Sequence, residues 1–244
     1  MRQKGESRLE KEYTEKIKEN LGGVLSRIRT ASQGREVELL LATKTVPAEV
    51  INYVSEKLGI SLIGENRVQE LLEKYPQLVR ERLKIHLIGH LQTNKVRQII
   101  DKVDMIESVD RHELAAEISK RAVAKGIKMP VLVEINIGRE EQKGGVYPEK
   151  AIEFIKEIAP LEGISIKGVM TMAPAGISSE EYKMYFKQTR ELADSIAALN
   201  IEGVEMKTVS MGMSDSFEEA AECGATMVRV GSAVFGRRIY PENK

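Results

Sequence analysis

The feature of this sequence that most constrains its fold is a regular alternation of short β-rich runs with amphipathic segments of helical period. Eight runs are typical of strands, at 38–43, 61–64, 85–89, 104–109, 129–137, 166–172, 206–211 and 226–231. Helical patterns follow them, at 48–58, 68–74, 93–101, 111–125, 148–158, 179–199 and 214–222 and in a short segment after Ser232, and an additional helix is predicted over 7–29. Strands separated by helices pair in parallel through right-handed crossovers, so eight such units in 244 residues predict an α/β protein with a (β/α)8 TIM barrel.

No linker divides the chain. The units are not separated by any Gly/Ser/Pro-rich or low-complexity tract, and residues 1–244 are therefore expected to form a single domain. A doubly wound open sheet is the structural alternative. That fold usually carries G-x-G-x-x-G after an early strand, and this sequence has no such motif there.

Composition argues against several classes of function. The chain has 37 basic and 37 acidic residues, so no overall field attracts it to nucleic acid or to anionic lipid. The first residues are densely charged, and no uncharged apolar stretch approaches the roughly 18 residues that span a bilayer. One cysteine and three histidines provide too few ligands for a zinc site. We therefore expect a soluble cytoplasmic protein without a bound metal.

Lys44 closes the first predicted strand, in the run "ELLLATKTVPAEV" that covers residues 38–50. The C-terminal ends of the strands of a TIM barrel converge on one face, and sites are built there. An ammonium at the mouth of an apolar barrel is partly desolvated, which leaves more neutral amine to attack a carbonyl. Lys44 is therefore a candidate for a Schiff base. The alternative is an ordinary lysine that buries its methylenes and keeps its charge in water.

The seventh unit, "TVSMGMSDSFEEA", contributes small and polar residues to the same face. Its strand is expected to end at Ser210 and Met211, and Gly212 allows the backbone to turn closely. Ser214 or Asp215 is expected to cap the helix that follows.

The eighth unit, "TMVRVGSAVFG", is expected to bind an anion. Gly231 and Ser232 begin a short helix, whose free amide groups and positive dipole end suit a dianion. The loops after the last two strands are the usual phosphate site of a TIM barrel. Ordinary turn glycines and helix caps would explain either loop alone, but their occurrence at the last two units favours a phosphate site. A nucleoside triphosphate is not expected, because no Gly-Lys-Ser/Thr ending is present.

Other residues at the strand ends complete the candidate site. Alternation with Val228 and Val230 predicts that Arg229 points into the barrel, the alternative being a salt bridge on its outer surface. Asn66 in "GENRVQE" and His90 in "HLIGHLQTNK" can line the mouth. Met170 in "GVMTMAP" is either part of the site or filling for the barrel.

Seven ordered blocks make a specific resemblance: "ATKTV", "GENRVQE", "IHLIGHLQTNK", "VLVEINIG", "GVMTMAP", "SMGMSDSFEEA" and "MVRVGSAVFGRR". Over about residues 8–240 the chain resembles the pyridoxal phosphate homeostasis proteins, the YggS/PROSC family. The resemblance implies a barrel like the N-terminal domain of alanine racemase, which binds pyridoxal 5'-phosphate as an internal aldimine on Lys44. It also implies that the phosphate lies against Ser210, Met211 and the Gly231–Ser232 loop, with Arg229 near the ring nitrogen. Ser232 stands where many relatives have threonine.

Two functions compete within this resemblance. The first is a carrier that buffers the cofactor and supplies it to PLP-dependent apoenzymes, as a monomer with no defined catalytic activity and no catalytic residues. The second is an amino-acid racemase of the alanine racemase type, which we expect to need a further β-rich domain beyond residue 240. A lysine-dependent aldolase acting on phosphorylated sugars is a third class. The carrier is the expected function, in vitamin B6 homeostasis.

Overall fold

The computed structural model describes residues 3–236, with side chains from residue 11, so residues 1–2 and 237–244 of the expected domain lie outside the described residues. The strands are β1 Glu38–Ala42, β2 Leu62–Glu65, β3 Lys84–Leu87, β4 Met105–Val109, β5 Met129–Ile135, β6 Ile164–Thr171, β7 Val204–Ser210 and β8 Met227–Val230. The helices are α1 Gln3–Ala31, α2 Ala48–Leu58, α3 Val68–Lys74, α4 Val96–Ile99, α5 His112–Ala124, α6 Ala151–Ile158, α7 Ser179–Ala198, α8 Phe217–Glu222 and α9 Ser232–Phe235.

The eight strands form one closed parallel barrel in sequence order, which confirms the predicted fold class. β1 closes it by pairing with β8, with Leu41 opposite Val230. On the other side of β1, Leu41 lies opposite Ile63 of β2. The helical crossovers that the alternation predicted therefore enforce parallel pairing around the whole circle.

Three helices differ from the sequence prediction at their start, two in the type of their first turn and one in its first residue. The region 93–101 starts with a 3₁₀ turn at Thr93–Lys95 before α4, and the region 148–158 starts with another at Pro148–Lys150 before α6. The helix predicted from residue 214 begins at Phe217. A pattern with a period of 3.6 residues identifies a helical region but does not fix the form of its first turn.

The barrel separates two apolar layers, because successive side chains of a strand point to opposite faces. Leu40, Leu62, Ile88 and Met227 pack together inside the barrel. A Cβ on Gly64 would lie 2.5 Å from Leu40 Cδ2, so glycine leaves the room that this interior cluster needs. The larger cluster, which includes the neighbouring outward residues of these strands, lies between the barrel and the helices.

The N-terminal helix α1 packs against α8 and α9, the helices that follow the last two strands. Asn20 Nδ2 donates to the carbonyl of Val234 at 3.0 Å. Arg27 lies over the ring of Phe217, 4.6 Å from its centroid, and forms an ion pair with Glu218. The additional helix α1 therefore packs against the last two units of the barrel, whose loops were predicted to bind an anion. None of the described helices is long and apolar enough to cross a membrane.

Candidate cofactor-binding site

The residues predicted for the site lie on consecutive strands at one end of the barrel. Passing around the barrel from β6 to β3, the strands or the turns after them carry Met170, Ser210, Met211, Ser214, Arg229, Gly231, Ser232, Lys44, Asn66 and His90. The sequence thus placed them in one continuous arc of the barrel mouth, as expected for strand ends. The structure gives them different degrees of burial and different partners.

Lys44 occupies a turn between β1 and α2. The amide of Val46 donates to the carbonyl of Thr43 at 2.9 Å, which closes the turn and places Lys44 and Thr45 at its two central positions. Lys44 is half-buried, and no described residue forms a hydrogen bond or ion pair with its amine. No hydrogen bond within the described part of the chain therefore holds the amine, and its role toward a ligand stays a prediction.

The start of α9 directs two amide groups at one point. The amides of Gly231 and Ala233 both donate to Ser214 Oγ, each at 3.2 Å. The expectation that Ser214 or Asp215 caps α8 was wrong, because α8 begins two residues later, after Ser216. Ser214 Oγ instead accepts hydrogen bonds from the two amides at the start of α9. An anion bound at the start of α9 would accept hydrogen bonds from the same amides.

Close packing joins this amide pair to the strand that carries Lys44. A Cβ on Gly231 would lie 2.9 Å from the carbonyl oxygen of Ala42, the last residue of β1. The backbone of the eighth unit therefore approaches the end of β1 as closely as a residue without a side chain allows. Lys44 follows only two residues after Ala42.

Arg229 lies inside the barrel, which confirms the orientation expected from alternation. It is 3% exposed, and its Nη1 donates to Ser210 Oγ at 2.7 Å. Its Nη2 donates to the carbonyl of Thr171 at 2.8 Å. Ser210 in turn donates to Glu107 Oε2 at 2.7 Å, and Glu107 Oε1 lies 2.6 Å from His86 Nδ1. A connected polar network thus crosses the barrel interior from β8 to β3.

Electrostatics in this network are governed by the exclusion of water. Burial by itself raises the pKa of Glu107, but the hydrogen bond and charge of His86, the charge of Arg229 and the hydrogen bond of Ser210 outweigh it, so the pKa is lowered. Burial lowers the pKa of Arg229, against the opposing effect of the Glu107 and Glu134 carboxylates. We conclude that Glu107 is ionised and compensates the buried guanidinium.

The remaining predicted residues differ in what their side chains can offer. Met211 is fully buried in the cluster outside the barrel, so only its backbone faces the site. Met170 is fully buried and lies opposite Ser210 on β7, as barrel filling would be. Asn66 is half-buried, Ser232 is exposed, and the side chain of His90 is 60% exposed at the rim.

Two buried carboxylates in the barrel interior, Glu107 and Glu134, were not assigned from the sequence. Glu134 lies on β5 and is 5% exposed. Burial, followed by the charge of Asp110, raises its pKa to about 7, although Arg229 and Arg111 act in the opposite direction. A signal was present, because each glutamate interrupts an apolar run, "MIESV" and "VLVEI", at an inward position.

The closed barrel, the lysine after its first strand and the converging amides after its eighth define the class as the PLP-type barrel of alanine racemase. Consistently, the family model "Alanine racemase, N-terminal domain" matches residues 15–239. The chain is 44% identical over 227 residues to a pyridoxal phosphate homeostasis protein of Aquifex aeolicus, covering 91% of this chain and 98% of the relative. The chain belongs to the pyridoxal phosphate homeostasis protein family.

Two solved structures resemble the whole barrel. An unknown protein from Bifidobacterium adolescentis is 38% identical with a TM-score of 0.86, over 91% of this chain and 95% of that one. PipY of Synechococcus elongatus, with PLP bound, is 30% identical with a TM-score of 0.78, over 90% of this chain and all of that one.

Proposed function

We propose that this chain binds pyridoxal 5'-phosphate covalently through Lys44 and serves as a store that supplies the cofactor to PLP-dependent apoenzymes. The observation that carries this proposal is the contact between the ends of β1 and β8. A Cβ on Gly231 would lie 2.9 Å from the carbonyl oxygen of Ala42, so the backbone just before Lys44 lies close to the convergent amides of Gly231 and Ala233. Among the described residues, none forms a hydrogen bond or ion pair with the Lys44 amine. An aldehyde and a phosphate on one small molecule match these two groups.

Each part of the ligand has residues of this chain that suit it. When bound, pyridoxal phosphate supplies an aldehyde that bonds to an amine, a dianionic phosphate and a pyridine ring. The amides of Gly231 and Ala233 would hold the phosphate, with the hydroxyl of Ser214 turning aside or donating to it and that of Ser232 nearby. Arg229 would donate to the ring nitrogen, and because guanidinium has no acceptor it would keep that nitrogen unprotonated.

An unprotonated ring favours storage over catalysis. The ring then stabilises a carbanion poorly, so loss of the α-proton from a bound amino acid would be slow. The names of the relatives, and the bound PLP in PipY, support a role in cofactor homeostasis. We propose that the store works in the cytoplasm as a monomer.

Borohydride trapping tests the attachment site. Purified protein incubated with pyridoxal phosphate should absorb near the visible edge, and borohydride should abolish that band and fix the label on Lys44. Lys44→Ala should lose the label but retain weaker, phosphate-dependent binding, because separate loops form the anion site. Lys57→Ala, an exposed change on α2, should label like the parent protein. Label on any other lysine would overturn the assignment.

Isotope exchange tests the store against the racemase. Holoprotein in deuterated water with L-alanine should show no more α-deuterium or D-alanine than free pyridoxal phosphate gives, while it transfers cofactor to an apoenzyme. Rapid inversion without transfer would replace the store by a racemase.

A further inference from the structure

The turn that presents Lys44 is strained. Its second central residue, Thr45, has φ of 66°. This left-handed region suits glycine or asparagine, and a β-branched residue is rarely found there. The hydrogen bond between the Val46 amide and the Thr43 carbonyl does not by itself require a positive φ at Thr45. Other contacts must therefore hold Thr45 in the left-handed conformation.

An ion pair on α3 provides those contacts. Lys74 Nζ donates to the carbonyl of Thr43 at 2.8 Å, immediately before Lys44. Glu70 accepts a hydrogen bond from the amide of Thr45, immediately after Lys44. Lys74 and Glu70 are themselves joined by a bond of 2.6 Å, one helical turn apart. The two side chains therefore bind the backbone of the turn on both sides of Lys44. We call these two hydrogen bonds, together with the Lys74–Glu70 ion pair, the grip.

The grip is anchored in the body of the barrel. Lys74 Nζ also lies 2.9 Å from Oε1 of Glu65, which is fully buried at the end of β2. Thr43 Oγ1 donates to that same oxygen at 2.7 Å. The side chain of Lys74 is only 11% exposed and that of Glu70 20%, so water competes weakly with these bonds.

We propose that Lys74 and Glu70 are positioning residues, whose ion pair holds the Lys44 turn in its left-handed form and so fixes where the Lys44 amine meets the aldehyde of pyridoxal phosphate. The proposal rests on the function proposed above. It also makes a claim that can be tested without the ligand, because every group of the grip belongs to the chain itself. A misplaced amine would react more slowly with the aldehyde, since orientation contributes much of the rate of such a reaction.

Hydrogen exchange of the Thr45 amide tests the grip without any ligand. In the parent protein this amide should be protected by Glu70. Exchange should rise roughly tenfold in Glu70→Gln and in Lys74→Met, because local opening of the turn no longer breaks the ion pair. Lys57→Met, on an exposed face of α2, is the matched control and should leave the exchange unchanged. Equal protection in the parent protein and both variants would overturn the grip, whether or not pyridoxal phosphate binds.

The rate of covalent attachment tests the positioning role. Absorbance after mixing with pyridoxal phosphate, corrected for the folded fraction, should show roughly tenfold slower attachment in Lys74→Met. Thr45→Gly should restore most of that rate in the Lys74→Met background, because glycine adopts the left-handed turn without help. A purely structural role for Lys74 would lower the melting temperature and leave the corrected rate unchanged, which would overturn the proposal, as would a failure of Thr45→Gly to rescue. Absence of attachment in the parent protein would refute the proposed function, while the exchange experiment would still decide the grip.

Discussion

Replacing Glu134 by glutamine should remove a pH dependence of stability that the buried carboxyl builds into this barrel. Glu134 is 5% exposed on β5, and no described residue donates a hydrogen bond to its carboxyl group. Burial and the neighbouring charge of Asp110 raise its pKa from 4.5 to about 7. Glutamine has nearly the same shape but does not titrate, so it isolates the effect of the proton.

The sign of the effect follows from proton uptake. A carboxyl whose pKa is higher in the folded than in the unfolded protein binds its proton more tightly when folded. Its contribution to stability is therefore fully present below pH 4.5 and is lost as the pH rises through about 7. The difference between 4.5 and about 7 corresponds to ~3 kcal/mol at about 1.4 kcal/mol per pKa unit. Roughly 2–3 kcal/mol of this falls between pH 5 and pH 8.

Urea unfolding of the ligand-free protein at pH 5 and pH 8 measures this loss. Between these pH values the parent protein should lose ~2–3 kcal/mol more free energy of unfolding than Glu134→Gln loses. Glu141→Gln, a change of the same kind on an exposed loop, should behave like the parent protein. The same pH dependence in the parent protein and in Glu134→Gln would refute the assignment of a raised pKa to this carboxyl.

Three glycine substitutions give the remaining predictions. Gly231→Val should weaken binding of pyridoxal phosphate ~10- to 100-fold, because a side chain would displace the backbone from Ala42 and disturb the amide pair, whereas Ser232→Ala should have a smaller effect. Titration with pyridoxal phosphate and with pyridoxal measures this, and equal affinity for the two ligands would show that the loop binds no phosphate. Gly168→Ala should lower the free energy of unfolding by ~2 kcal/mol or more, since its φ is 153° and a Cβ would lie 1.8 Å from the carbonyl oxygen of Thr208. Gly22→Ala, inside α1 with open space around it, should raise that free energy by ~0.5–1 kcal/mol, and the two changes in urea midpoint should have opposite signs.

The barrel itself could be predicted because its signal is local and repeated. Each strand is a short apolar run and each crossover a helical pattern, so the order of elements was correct although several helix starts were not. Lys44, Arg229 and Gly231 were identified from their positions at strand ends and from alternation, and the structure places them in one arc of the mouth. Their roles toward pyridoxal phosphate stay predictions until binding is measured.

Contacts between distant segments could not be read from the sequence. The Ser214 hydroxyl was expected to cap its own helix, but the next unit lies close enough to use it, 17 positions along the chain. Glu107 and Ser210 meet although they are 103 positions apart. Such pairs depend on which strands become neighbours and on how far each strand is displaced along its partner.

The sequence by itself determined the class of fold, the order of the strands and the face on which the site is built, because hydrophobic periodicity and helical crossovers act within about 30 residues of chain. Only the tertiary structure decided which polar groups are buried together and how each is balanced. Arg229 is compensated by Glu107 from the opposite side of the barrel, and Lys74 fixes a turn 31 positions earlier in the chain. The physical reason is that closing the barrel removes water from these groups at the same step that brings them together, so that their charges and hydrogen bonds gain their strength from the closure itself.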